Sequence, residues 1–158
     1  MLQFITHSNE KYDYLTSAIE ALKGGCHWIQ LRMKNIPEQT VIATALQLKE
    51  YCRKYNAKLI LDDHVQATLK TGADGVHLGK NDMSPSDARK ILGNGYIIGG
   101  TANTLDDIER LIKEGVDYIG LGPFRYTETK KNLSPILGIY GYKKILMACK
   151  EKGYTIPI

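Results

Sequence analysis

The sequence is short of several things, and each shortage excludes a class of protein. There are 3 cysteines in 158 residues. Cys26, Cys52 and Cys149 are odd in number and far apart, which fits neither a disulfide framework nor a zinc site and points to a reducing cytoplasm. Apolar runs such as residues 118–121 are too short to cross a bilayer, so no membrane span is expected. The opening Met1-Leu2-Gln3-Phe4-Ile5-Thr6 lacks the basic start, apolar stretch and cleavage site of a signal peptide. His7, His27 and His64 have no partners at metal-ligand spacing, and His77, between Val76 and Leu78, reads as an inner hydrogen-bonded histidine. The formal net charge is only +4. With no basic stripe interleaved with aromatics, nucleic acid is not an expected partner, whereas a small phosphorylated ligand suits the charge.

What remains is the composition of a packed globular domain, 43% hydrophobic and 24% charged, enough for a core. Short β-type runs, at residues 3–6, 28–32, 58–61, 75–78, 96–99, 118–122 and 155–158, alternate with amphipathic stretches. In residues 38–55, Val41, Ala45, Leu46, Leu48 and Cys52 fall near helical spacing, with Lys49, Glu50 and Arg53 on the other side. Ser84-Pro85 and Thr104 are helix-start signals. Gly24-Gly25, Gly72, Gly93 and Gly115 stand where helices should stop. Such alternation predicts a parallel sheet with helices outside, either a doubly wound open sheet or a closed (β/α)8 barrel. The seventh run coincides with the end of the chain, and a buried parallel strand there looks like an interruption.

The polar residues are the informative part. Arg32 and Lys34 follow the second strand run, and Asp62 and Asp63 end the third. Asp82 follows the fourth, Thr101 ends the fifth, and Thr127, Thr129 and Lys130 follow the sixth. All lie just past the C-terminal ends of parallel strands, where α/β proteins build their sites. Carboxylates without neighbouring cysteine or histidine suit a hard cation such as Mg²⁺. Arg32, Lys34 and Lys130 suit phosphate oxygens, and the threonine hydroxyls can donate to phosphate or to a ring. Metal, cations and hydroxyls together read as a pyrophosphate site. Taken singly, each has a plainer reading. Asp63 or Asp82 would be a helix cap, Arg32 a surface ion pair, and residues 127–131 a solvated loop. Asp74 reads as a turn residue between helix and strand, and Asn103 as either a cap or a ligand contact.

Several segments, in order, resemble the thiamine-phosphate synthase family. These are Gln30-Leu31-Arg32-Met33-Lys34, Asp62-Asp63, Ala73-Asp74-Gly75-Val76-His77-Leu78-Gly79, Asp82, Ile97-Ile98-Gly99, Asp117-Tyr118-Ile119-Gly120-Leu121-Gly122-Pro123 and Thr127-Glu128-Thr129-Lys130. The resemblance covers essentially the whole chain. It implies a (β/α)8 TIM barrel, here a single domain over residues 1–158 that stops after the start of its seventh strand. It also implies a cytoplasmic transferase that couples a pyrimidine diphosphate to a thiazole phosphate with Mg²⁺. By the same resemblance Asp63 and Asp82 are the metal ligands. Gln30, Leu31, Arg32, Met33 and Lys34 form the pyrimidine diphosphate site, with Asp62, Thr101 and Lys130 as further contacts. Thr127, Glu128 and Thr129 belong to the thiazole-phosphate loop, and Arg32, Lys34 and Lys130 are the residues expected to carry catalysis. The partners implied are small molecules; a homo-oligomer is compatible with the sequence, while nucleic acid and membrane are not expected.

Some positions depart from the family pattern. Asp62 stands where Asn is usual, Thr101 where Ser is usual, and Asn103 where His is usual. His64 replaces a common Arg, Lys80 a common Gln, and Arg125-Tyr126 a more apolar pair ending in Pro. A thiazole tautomerase of the same family, a non-catalytic regulator binding thiamine-pathway phosphates and an unrelated phosphate-binding barrel are the alternatives. The tautomerase branch typically lacks the metal aspartates and uses a histidine near position 103, so Asp63, Asp82 and Asn103 favour the synthase.

Overall fold

Two of the helices begin on reciprocal capping boxes, in which a side chain and the backbone satisfy each other's free groups at the first turn. Asp13 accepts from the Thr16 amide at 2.7 Å, and the Thr16 hydroxyl accepts from the Asp13 amide at 3.0 Å. Thr104 and Asp107 repeat the arrangement, at 3.1 Å and 3.0 Å. In the computed structural model, which describes residues 2–127 and 134–158, strands and helices alternate along the chain. The order is β1 (Phe4–Ile5), α1 (Tyr14–Lys23), β2 (Trp28–Leu31), α2 (Glu38–Lys54), β3 (Lys58–Asp62), α3 (Val65–Thr71), β4 (Gly75–Leu78), α4 (Pro85–Leu92), β5 (Ile97–Ala102), α5 (Leu105–Lys113), β6 (Tyr118–Leu121) and α6 (Gly138–Glu151).

The chain divides into two compact units, Met1–His77 with Arg89–Ile97, and Leu78–Ala88 with Ile98–Ile158. In the first, β1, β2 and β3 pair in parallel, and β3 pairs with β4. The β2–β3 register sets Leu31 beside Leu61. Ile29, Leu31, Leu59 and Leu61 meet Leu22 of α1 and Val41, Ala45, Leu48 and Cys52 of α2 in one buried cluster. The 3.6-residue spacing of the α2 positions turns them onto one stripe, and burial of each large aliphatic side chain stabilises the fold by about 1.5–3 kcal/mol. In the second unit β5 pairs in parallel with β6, Ala102 beside Leu121. Ile98, Ala102, Ile108, Leu111 and Ile119 are buried there.

One device appears in both units. Asp74, just before β4, donates its amide to the Leu59 carbonyl at 2.8 Å and accepts from the Leu59 amide at 2.9 Å. Asp117, just before β6, does the same with Ile98, at 2.7 Å both ways. Each aspartate is a clasp on the first turn of pairing, which bears out and extends the turn role read for Asp74. Gly72 ends α3 with φ +61°, a left-handed conformation that a glycine adopts without penalty.

The helix starts at Pro85 and Thr104 and the stops at Gly72, Gly93 and Gly115 fall as expected. Residues 155–158 do not form a strand. The Pro157 carbonyl accepts the Ile119 amide at 2.9 Å, but Pro157 itself has no amide to return, so no ladder develops. β5 extends to Ala102, three residues beyond the expected end at Gly99, because the small residues Gly99 and Gly100 hide the strand signal while the ladder to β6 continues. No helix among the described residues is long and apolar enough to cross a membrane.

Candidate active site

Because Leu31 stands beside Leu61 in parallel register, the next residues, Arg32 and Asp62, leave their strands side by side. The Arg32 Nε lies 3.5 Å from the Asp62 Oδ2, and the Lys34 Nζ reaches the same oxygen at 3.2 Å. Lys34 also makes a short charge-assisted hydrogen bond to the Asp63 Oδ2. The Arg32 amide is held by the Thr6 hydroxyl at 2.9 Å, and Thr6 itself is buried. Two cations and two carboxylates therefore share the C-terminal ends of β2 and β3. Burial alone would push the Lys34 ammonium down, but Asp63 and Asp62 outweigh it and hold it above the ordinary lysine value.

Asp63 is not a helix cap. The N-cap of α3 is His64, which makes no side-chain cap hydrogen bond. Asp63 sits at φ +66°, a region that costs most residues about 1–2 kcal/mol and that aspartate tolerates better than most. Its amide donates to the His77 carbonyl at 2.9 Å. Its Oδ1 is buried and accepts no hydrogen bond from the described residues. A buried carboxylate oxygen left open costs free energy unless something electropositive completes it.

Gln30 is buried and donates to Gln3 at 3.4 Å, while Leu31 and Met33 belong to the core cluster of the first unit. Asp82, Thr101 and Thr127 lie in the second unit. The Asp82 Oδ2 accepts the Gly79 amide at 2.7 Å, closing a tight turn after β4. Thr101 is half-buried near the end of β5. Thr127 is half-buried at the edge of the described residues, and Glu128, Thr129 and Lys130 lie outside them.

The structure adds residues that the sequence reading left undecided or passed over. Asn103 is neither a simple cap nor free. Its amide donates to Asp107 at 2.9 Å, its Nδ2 donates to the Gly122 carbonyl, and its Oδ1 accepts from the Ser134 hydroxyl at 2.9 Å. Asp107 also receives the Lys80 ammonium at 2.6 Å. Burial would raise the Asp107 carboxyl, but Lys80, the Asn103 amide and the Thr104 hydroxyl together hold it below the ordinary aspartate value. The Thr104-x-x-Asp107 box was readable as a motif. Ser134 carries no local signal, since its partner is far away in sequence.

The described residues hold no group of three or more His, Cys, Asp or Glu placed for a metal ion. Mg²⁺ needs no such cage, because it keeps waters and uses one or two carboxylates with substrate phosphates. The open Asp63 oxygen is a donor of the right hardness, so the chain fits that ion at Asp63.

The chain is thus a parallel α/β protein that gathers two cations and two carboxylates at the C-terminal ends of β2 and β3. The family model described as thiamine monophosphate synthase matches residues 2–158, and the chain belongs to that family. It is 55% identical over 157 residues to a thiamine-phosphate synthase of Bacteroides thetaiotaomicron, covering 99% of this chain and 75% of the relative. A thiamine-phosphate synthase of Bacteroides fragilis is 57% identical over 157 residues, with 99% and 77% covered. Among solved structures, a thiamine phosphate pyrophosphorylase from Pyrococcus furiosus superposes with a TM-score of 0.80 at 31% identity, over 92% of this chain and 69% of that one. The tautomerase and regulator alternatives are not favoured by these relatives.

Proposed function

We propose that the protein is a thiamine-phosphate synthase, a transferase that couples 4-amino-2-methyl-5-pyrimidinylmethyl diphosphate with thiazole phosphate and releases pyrophosphate. The observation that carries the reading is the cluster of Arg32, Lys34, Asp62 and Asp63 at the ends of β2 and β3, in a chain whose relatives bear that name. The parallel strand–helix units are those of a (β/α)8 barrel, and the enzyme works in the cytoplasm.

The chemistry asks little of a general base. The C–O bond between the pyrimidinylmethyl carbon and the diphosphate breaks, the ring amino group spreads the resulting positive charge, and the thiazole nitrogen attacks the carbon. What the protein supplies is position and charge. Arg32 offers a planar fork to the diphosphate and Lys34 a mobile point charge. Gln30, Leu31 and Met33 set the strand end from which both project. Asp62, Thr101 and Lys130 make further contacts to the pyrimidine substrate, and Thr127, Glu128 and Thr129 receive the thiazole phosphate. Asp63 and Asp82 are the residues that would hold Mg²⁺, which would supply positive charge for the diphosphate oxygens.

The test is an assay of the full-length protein with both substrates and Mg²⁺, following thiamine phosphate, with Asp63→Ala alongside. Turnover abolished by the substitution and by chelator supports the reading. A wild-type protein that makes no thiamine phosphate from sound substrates overturns it.

A further inference from the structure

β1 stops at Ile5, but its pairing with β2 does not. Phe4 stands beside Ile29 and Ile5 beside Gln30, and the Thr6 amide still donates to the Gln30 carbonyl at 2.9 Å. In a parallel ladder the return rung would run from the Arg32 amide to the Thr6 carbonyl. The Arg32 amide donates to the Thr6 hydroxyl instead, at 2.9 Å, and the same oxygen lies 3.5 Å from the Arg32 carbonyl. The side chain of Thr6 thus takes over as its backbone turns out of the sheet. The chain then runs to Asn9, whose Oδ1 accepts the amides of Lys11 and Tyr12 at 2.9 Å and 2.8 Å ahead of α1.

Threonine suits this place. Its hydroxyl can accept one hydrogen bond and donate another, and its branched Cβ confines the oxygen to few rotamers. At 1% exposure, Thr6 keeps water from competing for the Arg32 amide. Arg32 is therefore held at both ends within the first unit. Its backbone is tied to β1 through Thr6, and its Nε lies 3.5 Å from the Asp62 carboxylate at the end of β3.

We propose that Thr6 is a positioning residue for the transfer reaction, fixing the Arg32 backbone so that the guanidinium is in place before the diphosphate arrives. The role of Arg32 at the diphosphate rests on the proposed activity; the tether between Thr6 and Arg32 does not. A charged donor fixed in advance spares the substrate the cost of ordering it. Loss of the tether therefore weakens transfer from the pyrimidine diphosphate, and does so only through Arg32.

The test uses the full-length protein with Thr6→Val, similar in shape but without the hydroxyl, and Thr6→Ser, which keeps it. In Thr6→Val, kcat/KM for the pyrimidine diphosphate should fall about tenfold, with KM for the thiazole phosphate within about twofold of wild type. Thr6→Ser should bring kcat/KM back to within about threefold of wild type. In an Arg32→Met background, Thr6→Val should cost no more than about twofold further, because the tether then has nothing to place. The Kd of inorganic pyrophosphate with Mg²⁺, measured by calorimetry, should follow the same pattern across these variants. An equal loss with and without Arg32, or Thr6→Ser as impaired as Thr6→Val, overturns the proposal. Should Thr6→Val not fold, amide hydrogen exchange in the wild type decides. The Arg32 amide should then exchange on the order of a hundredfold more slowly than an open amide, and free exchange overturns the tether. A wild type that binds pyrophosphate through Arg32 without making thiamine phosphate sinks the proposed activity, and the Kd pattern then decides on Thr6. A wild type that neither turns over nor binds pyrophosphate sinks both.

Discussion

The ammonium of Lys80 stands 2.6 Å from the carboxylate of Asp107, joining the turn after β4 to the first turn of α5. The same carboxylate accepts the amides of Asn103 and Thr104 at 2.9 Å and 3.0 Å. Its folded-state pKa lies below the ordinary 3.8. A carboxyl depressed on folding contributes stability that is present above its unfolded value and is lost as pH falls through the folded one. Asp107→Asn should therefore be less stable than wild type at pH 7, by about 1 kcal/mol for a cap and a part-exposed ion pair. The gap should narrow below pH about 4. Urea unfolding of both proteins from pH 3 to 7 measures it; a pH-independent gap would show that charge is not the cause.

Lys34 is about two-fifths exposed, its side-chain accessibility being 41%, so its ion pairs add little to folding. Its use lies in the substrate. Lys34→Met should leave the melting temperature within a few degrees and reduce kcat/KM for the pyrimidine diphosphate by about 10–100-fold, the range for a charge-assisted contact. Steady-state kinetics beside a thermal melt separates the two effects. A large drop in melting temperature with normal kinetics would assign Lys34 to structure instead.

Asp63 combines a left-handed backbone with a buried, open carboxylate oxygen. Asparagine tolerates the same backbone and carries no charge. Asp63→Asn should accordingly keep its stability within about 1 kcal/mol while turnover falls by about 100-fold or more. Chemical denaturation and product formation, measured on one preparation, check both halves. Wild-type turnover in the variant would remove Asp63 from the metal site.

Gly75 is required by space. A Cβ there would lie 2.0 Å from the Ile97 carbonyl oxygen, a backbone atom that cannot swing aside. Gly75→Ala should cost about 3 kcal/mol, the upper range for overpacking, read as a drop in the urea midpoint. A midpoint equal to wild type would mean that the strand shifts at no cost.

The alternation of strands and helices was readable because each element carries a local period or cap: the stripe of α2, the Thr104 box, the glycine stops. The cluster of Arg32, Lys34, Asp62 and Asp63 was readable as well, since parallel strand ends bring such residues together by rule. The extent of β5 was not, because glycines carry no strand preference and only pairing with β6 reveals it. Nor was Asn103, whose partners Gly122 and Ser134 are 19 and 31 residues away. A side chain that works through distant contacts leaves no mark on its own neighbourhood. Residues 155–158 had the look of a strand, but Pro157 can only accept.

The paired aspartates before β4 and β6 have a consequence for how such a chain can change. Each locks the alignment of its strand from the end where the strand enters, at Leu59 for Asp74 and at Ile98 for Asp117. The groups proposed for substrate sit where strands leave. Alignment and chemistry are thus mechanically decoupled within each unit, and the exit loops are free to be lengthened, shortened or exchanged without the strands slipping.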